Sequence, residues 1–357
     1  MDTPEVSLYV IAPMTTNLHA ADAPLDLKPG AWVEVRGLAE ILATLDAQGR
    51  LSGLSFMPEM ERYCGGRFRV SRRADKACDR VRKSGNRRMV NAVHLEDLRC
   101  DGVDHGGCGA ACLIFWKEAW LKRAEGPGSV AAPKEDTRAV VAARNDAEGL
   151  RRATRVVEGD GTPESVVWSC QATTMYDATT AFATWDVWQF VRDVRAGHVR
   201  VRTVAWWAVT KALNRIRLIP KMWRLVETIR GPFRVPFIGG TLTKTPRELL
   251  NLMPGEWVEV RSYEEILATL DKKGKNRGMT FDSEMVKYCG TRCRVRQRVE
   301  RIVDEPTGRM MVLPNDCIIL EGATCTGEYH SFCPRAIYPY WREIWLRRVD
   351  PPPAPRA

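Results

Sequence analysis

No stretch of this 357-residue chain approaches the roughly 18 consecutive apolar residues that a membrane-spanning helix requires. Its first residues, MDTPEVSLYVIAPM, lack a basic segment leading into a long apolar core, so no secretory signal is expected and the chain reads as cytoplasmic. A GxxxxGK[ST] phosphate loop and a strand-linked GxGxxG are both missing, which removes the usual sequence grounds for nucleotide chemistry. No nucleophile signature surrounds any serine or cysteine, and no standard zinc-finger expression matches the cysteine spacing. What is present excludes a disordered or fibrous chain: apolar residues make up 45%, enough to bury real cores across two or three domains.

The strongest signal is internal. KPGAWVEVRGLAEILATLDAQG from Lys28 recurs as MPGEWVEVRSYEEILATLDKKG from Met253. The offset of 225 holds again at Tyr63/Tyr288, Leu95/Leu320, Trp116/Trp341 and Trp120/Trp345. Two copies make a tandem of domains and not a solenoid. In each copy a Pro-Gly turn precedes an alternating Trp-Val-Glu-Val strand. Ser262 with Glu265 forms a capping-box pattern that opens a short helix from Tyr263 to Leu270, while the first copy has Gly37 at the cap. An alternating run from Cys293 to Ile302, the turn Pro306-Thr307-Gly308, and the segments Met310 to Val312 and Ile318 to Leu320 supply further strands. FWKEAWLKR from Phe115 and YWREIWLRR from Tyr340 space their aromatics at i, i+4 and predict an amphipathic helix closing each copy, with Trp116, Trp120 and Leu121 packed on the strands.

The opening Pro-Gly-x-Trp-Val-x-Val resembles the first strand of SH3-like and KOW-type barrels. The resemblance covers the start of each repeat and implies an α+β chain with two duplicated small SH3-like β-barrel modules. Each is expected to carry a zinc-binding segment and a C-terminal helix, the two being separated by a helical insert. The boundaries so read are repeat 1 at 25–124, a Gly/Ala/Pro and charge-rich linker at 125–150, a basic Trp-rich insert at 151–246, repeat 2 at 247–349 and a disordered proline-rich tail at 350–357.

Among the eleven cysteines and five histidines, Cys64, Cys100, His105 and Cys108 have identical counterparts in Cys289, Cys325, His330 and Cys333. Three thiols and an imidazole are the donor set of a closed structural zinc site, so Zn2+ is expected at about two ions per chain. Cys78, Cys112, Cys293 and Cys317 stand opposite Val303, Ile337, Phe68 and Ala92, the apolar exchange expected of buried thiols, although Cys112 and Cys78 remain eligible to join the first site. Cys100-Asp101-Gly102 with His105 also resembles the Cys-Asp-Gly-x-His segment of CDGSH iron–sulfur proteins, with the histidine one residue further on, Cys325-Thr326-Gly327 in the other copy and no upstream C-x-C.

The charge is concentrated as well. Between Arg192 and Arg234 eleven Lys or Arg face two acids, a local excess of nine within a net +10. Arg200, Arg202, Lys211, Arg215, Arg217, Lys221 and Arg224 are therefore candidates to meet an anionic partner: nucleic acid, an anionic membrane surface or an acidic protein. A helix from Trp185 to Arg195, capped at Thr184, and a second apolar and basic pattern from Val201 to Arg230 are expected here, with Trp206, Trp207 and Trp223 at a membrane interface, with aromatics stacking on unpaired bases of a nucleic acid, or with the tryptophans packed between the barrels. The reading is a non-catalytic binding scaffold. Its alternative is a cytoplasmic enzyme or enzyme subunit using Cys170, with His198 as base, or using a metal or iron–sulfur site.

Overall fold

The computed structural model describes residues 24–351 apart from 83, 128–147, 159–161, 163–164, 183–185, 198, 216–235 and 237. Alternation at the first repeat becomes β1 (Trp32–Val35), in which Val33 and Val35 are buried while Trp32 and Glu34 are not. Helix α1 (Leu38–Leu42) buries Ile41, and the small hairpin β2 (Arg50–Leu51) and β3 (Leu54–Ser55) leads into a 3-10 turn at Pro58–Tyr63. Then come β4 (Arg67–Arg73), β5 (Lys76–Asp79), β6 (Gly85–Arg88), β7 (Ala92–Arg99), β8 (Leu113–Lys117) and β9 (Leu121–Ala124). Antiparallel pairing in the order β8-β7-β4-β1-β9 gives a sheet curled into a half-barrel around the first core.

The insert contributes β10 (Arg155–Val157), β11 (Val166–Trp168), β12 (Thr180–Ala181), α2 (Trp188–Arg195) and α3 (Val201–Arg215). Repeat 2 follows with β13 (Trp257–Val260), α4 (Tyr263–Leu267), β14 (Lys275–Asn276), β15 (Met279–Thr280), β16 (Arg292–Arg298), β17 (Arg301–Val303), β18 (Met310–Val312), β19 (Ile318–Leu320) and β20 (Leu346–Arg348). Its sheet, β19-β16-β13-β20, reproduces the pairing β7-β4-β1-β9. Register is kept as well: Trp32 faces Arg69 as Trp257 faces Arg294, and the bulge between Val70 and Arg72 returns between Val295 and Gln297.

The amphipathic helices expected from Phe115 and Tyr340 do not form. In the first repeat the segment is β8, a 3-10 turn at Glu118–Trp120, then β9. In the second, Trp341 bridges to Ile318, a 3-10 turn spans Glu343–Trp345 and β20 follows. The sheet supplies the reason. β1 and β13 each have a second edge of backbone donors and acceptors to satisfy, and β9 and β20 satisfy it, a gain no closing helix provides. The tryptophans still reach the core, because a single tight turn between two chain directions places both rings inward, and Trp116, Trp120, Trp341 and Trp345 are all fully buried. Trp120 Nε1 donates to Thr44 Oγ1 at 3.1 Å, and Trp345 Nε1 donates to Thr269 Oγ1 at 2.9 Å. The turn also places a buried acid. Glu118 accepts from the Asp26 and Leu27 amides and from Arg73 Nη1 at 2.8 Å, and Glu343 accepts in the same way from residues 250–252 and Arg298.

The insert, expected to be helical, opens on the end of a helix at residues 148–154 but continues as strands. β10 pairs with β11, and β12 extends the β5–β6 ladder of repeat 1. Leu150, Cys170, Met175 and Ala178 complete the first core, and Gln171 is wedged into it. Its Nε2 donates to the carbonyls of Ser55 (3.1 Å) and Phe115 (2.8 Å), and its Oε1 accepts from the Phe115 amide at 2.8 Å. The helix expected from Trp185 begins at Trp188, and the pattern from Val201 gives α3 as far as Arg215. Thr184, Trp223, the rest of that pattern and the expected proline-rich tail beyond residue 351 lie outside the described residues.

Candidate metal centre

Two buried side chains, Glu59 and His105, meet the half-buried Cys100 beneath the loop that follows β7. The 3-10 turn at Pro58–Tyr63 presents Glu59, Cys100 follows β7 directly, and a second 3-10 turn at Val103–His105 directs His105 inward until it is 1% exposed. Gly102 makes that loop possible: its φ is +73°, and a Cβ there would lie 1.9 Å from the Cys108 carbonyl oxygen. Gly327, the counterpart in repeat 2, has φ +76° and would place a Cβ 2.5 Å from the Cys333 carbonyl oxygen.

The donor atoms of Glu59, Cys100 and His105 lie within 4.8 Å of one another. Cys100 Sγ donates to Glu59 Oε1 at 2.8 Å, and His105 Nδ1 lies 2.9 Å from the same oxygen at an angle that makes no hydrogen bond. Glu59 Oε2 and both ring nitrogens of His105 are therefore buried with no hydrogen-bond partner. Burial pushes the Glu59 carboxyl up, yet the contacts with His105 and Cys100 outweigh it and hold the group below its ordinary range. Burial, reinforced by Glu59, drives the Cys100 thiol far above the usual thiol value. Orphaned nitrogen and oxygen donors beside a thiol are a set that could hold a metal ion.

A cavity of about 230 Å3 opens from this group toward repeat 2, and Cys100, His105, Cys108, Cys112 and Cys170 all line it. Burial pushes Cys112 up to about 12 and Cys170 up to about 11. Of the residues matched in sequence, then, Cys100 and His105 converge and Cys108 lies on the same cavity wall with its sulfur accepting from the Val303 amide at 3.3 Å. Cys64 is not among the converging donors or the cavity lining; it ends the 3-10 turn and packs on the first core.

Repeat 2 arranges the equivalent residues differently. Glu284 is saturated by Thr326 N (2.9 Å), Thr326 Oγ1 (2.7 Å) and Tyr329 N (2.7 Å). Thr326 stands where repeat 1 has Asp101, whose carboxylate cannot donate to another carboxylate, so Glu59 is left for Cys100 and His105. His330 Nε2 lies 3.4 Å from Asp282 Oδ1, whose carboxylate raises the imidazole pKa. Cys325, pushed up to about 12 by burial, accepts from the Gly327 amide, and Cys333 accepts from the Cys78 amide at 3.1 Å. Cys325, His330, Cys333 and Cys78 line a second cavity of about 990 Å3, whereas Cys289 packs on the second core, its thiol pushed up to about 11 by burial. Among the described residues, only the Glu59 group brings three donors this close.

A search of the sequence for cysteine and histidine alone misses Glu59. Its signal was in the duplication, because Glu59 and Glu284 are identical residues at matched positions. The basic candidates are spread. Arg200, Arg202 and Lys211 are exposed on or beside α3, Arg215 is its last residue, and Arg217, Lys221, Arg224 and His198 lie outside the described residues. Trp207 packs inward on Phe190 (4.7 Å) and on Phe332 of repeat 2 (5.7 Å), while Trp206 is 43% exposed. No helix among the described residues is long and apolar enough to cross a membrane. Comparison of the chain with family models, with curated proteins and with solved structures gave no match in any of the three.

Proposed function

We propose that the protein is a zinc-stapled binding scaffold, in which two SH3-like modules hold a basic helical segment for contact with an anionic partner. The observation that carries the metal is the buried pair of Glu59 Oε2 and His105 Nε2, neither with a hydrogen-bond partner, beside the close His105 Nδ1–Glu59 Oε1 contact and the Cys100 thiol. Burying such groups without a partner costs about 1–3 kcal/mol each, a penalty a bound cation removes. Carboxylate, imidazole and thiolate are all zinc donors, and Cys108, Cys112 and Cys170 offer a fourth from the cavity wall. Zinc there would tie the 3-10 turn at Pro58–Tyr63 to the loop after β7, and so fix the face that repeat 1 offers to repeat 2. A thiol enzyme using Cys170 is less well supported, because burial pushes that thiol up to about 11, away from the thiolate a nucleophile needs. Exposed Arg200, Arg202, Lys211 and Trp206 support the anionic contact through α3, with nucleic acid, anionic membrane and acidic protein as its classes.

Metal analysis by mass spectrometry on the purified full chain tests the staple. The expected content is about one zinc per chain, lost in Glu59→Gln and His105→Ala and kept in Cys289→Ser. A metal-free protein, or one whose zinc survives both of the first two substitutions, refutes the site. Binding of the anionic partner should weaken steeply as salt rises from about 50 to 200 mM, and salt-independent binding removes the role of α3.

A further inference from the structure

One of the contacts between the two repeats is made twice. Cys108 Sγ of repeat 1 accepts from the Val303 amide of repeat 2, and Cys333 Sγ of repeat 2 accepts from the Cys78 amide of repeat 1. Both partners obey the offset of 225, so these are the same positions seen from either side. They differ in one side chain. Where Cys108 meets a valine, Cys333 meets a second cysteine, with its sulfur 3.1 Å from the Cys78 amide nitrogen and so beside that residue's own side chain.

Their surroundings are unequal in a way that assigns roles. Cys333 is 3% exposed, whereas Cys78 is only partly buried on β5 and faces the larger cavity, whose lining includes the exposed Tyr329 and the partly exposed His330. Arg335 Nη1 lies 4.0 Å from Cys78 Sγ and donates to the Cys78 carbonyl at 3.3 Å, so a negative charge on this sulfur has a buried cation beside it. Such a thiol, accessible and next to a cation, with a second thiol behind it, is the arrangement of a peroxidatic and a resolving cysteine.

We propose that Cys78 and Cys333 form a redox-active dithiol that a hydroperoxide converts to a disulfide joining repeat 1 to repeat 2. The Cys78 thiolate attacks one peroxide oxygen; the S–O bond forms as the O–O bond breaks, and the leaving hydroxide or alkoxide takes up the proton that Cys78 released. Cys333 sulfur then displaces hydroxide from the Cys78 sulfenic acid, and that hydroxide leaves as water with the Cys333 proton. Two thiols lose two electrons and the peroxide gains them. The bond closes a loop across 255 residues of separation and pins β5 to the segment after β19, so oxidation locks the two repeats at the wall of the larger cavity.

The test treats the purified full chain with hydrogen peroxide, blocks remaining thiols with N-ethylmaleimide and maps peptides without reduction. The expected result is a linked peptide carrying Cys78 and Cys333, reversed by dithiothreitol. It should be lost in Cys78→Val, a substitution that places at this position the residue repeat 2 already has there. In Cys333→Ser the sulfenic acid should persist on Cys78 and be captured by dimedone. A fully alkylated Cys78 after peroxide, or a bridge from Cys78 to any thiol other than Cys333, overturns the assignment.

Discussion

His94 shows how one residue couples burial to pH. It sits on β7 fully buried, its Nδ1 donating to the Ile114 carbonyl at 2.8 Å, and its Nε2 has no partner. Burial, with Arg72, Arg99 and Arg335 adding repulsion, pushes its pKa down to about 3. An unfolded histidine takes up a proton below about pH 6.5, so between roughly pH 6.5 and 3 the unfolded chain binds more protons than the folded one and stability falls as pH falls. Above pH 6.5 both states are neutral and the penalty vanishes. His94→Asn keeps a donor toward Ile114 and removes the titration. Urea denaturation at a series of pH values should show a flatter acid limb for this variant than for the parent, and an unchanged slope would mean that other groups carry the acid sensitivity. At this scale the candidate site was half legible. Cys100 and His105 stood out by their matching across the repeats, but the divergence of the two sites depends on Asp101 against Thr326, a difference whose effect appears only when Thr326 reaches Glu284 while Asp101 pairs with Arg62.

Elements follow local rules where those rules are strong. The Ser262 capping box forms as its spacing dictates, with the Glu265 amide donating to Ser262 Oγ at 3.2 Å and the Ser262 amide donating to Glu265 Oε2 at 2.8 Å. Gly37 in repeat 1 offers only its amide, to Glu40 Oε2 at 3.0 Å. Ser262→Ala should cost about 1 kcal/mol, and Gly37→Ser should return a few tenths. Backbone at Gly37, φ −59°, accepts a side chain, and a Cβ there meets Glu40 Oε2 at an ordinary 3.5 Å. Denaturation midpoints of the two variants check both signs, and a stabilised Ser262→Ala would contradict the cap. Where two periods compete the local rule failed: Trp116 and Trp120 fit a helix face and also fit a strand, a 3-10 turn and a strand. The unpaired edge of β1, far away in sequence, decided between them.

For the whole molecule the insert matters more than its sequence suggests. Gln171 satisfies three backbone groups of repeat 1, and Trp168 N donates to the Gly308 carbonyl of repeat 2 at 2.8 Å, so a short segment joins both repeats. Gln171→Leu leaves the Phe115 amide and the Ser55 and Phe115 carbonyls without that partner, a loss of about 2–4 kcal/mol. A chemical denaturation curve measures it, and a change under about 0.5 kcal/mol, the range of an indifferent surface substitution, would show that the wedge is dispensable.

The sequence alone determined the duplication, the first strand and cap of each copy, the hairpin of repeat 2 and the location of the basic block, because these rest on identity, alternation and spacing between near neighbours. Tertiary structure decided which edge β9 and β20 complete, that Glu59 joins Cys100 and His105, and that Cys333 meets Cys78 across 255 positions. Those outcomes depend on long-range pairing and on which buried polar groups find partners, and neither is written in the spacing of neighbouring residues.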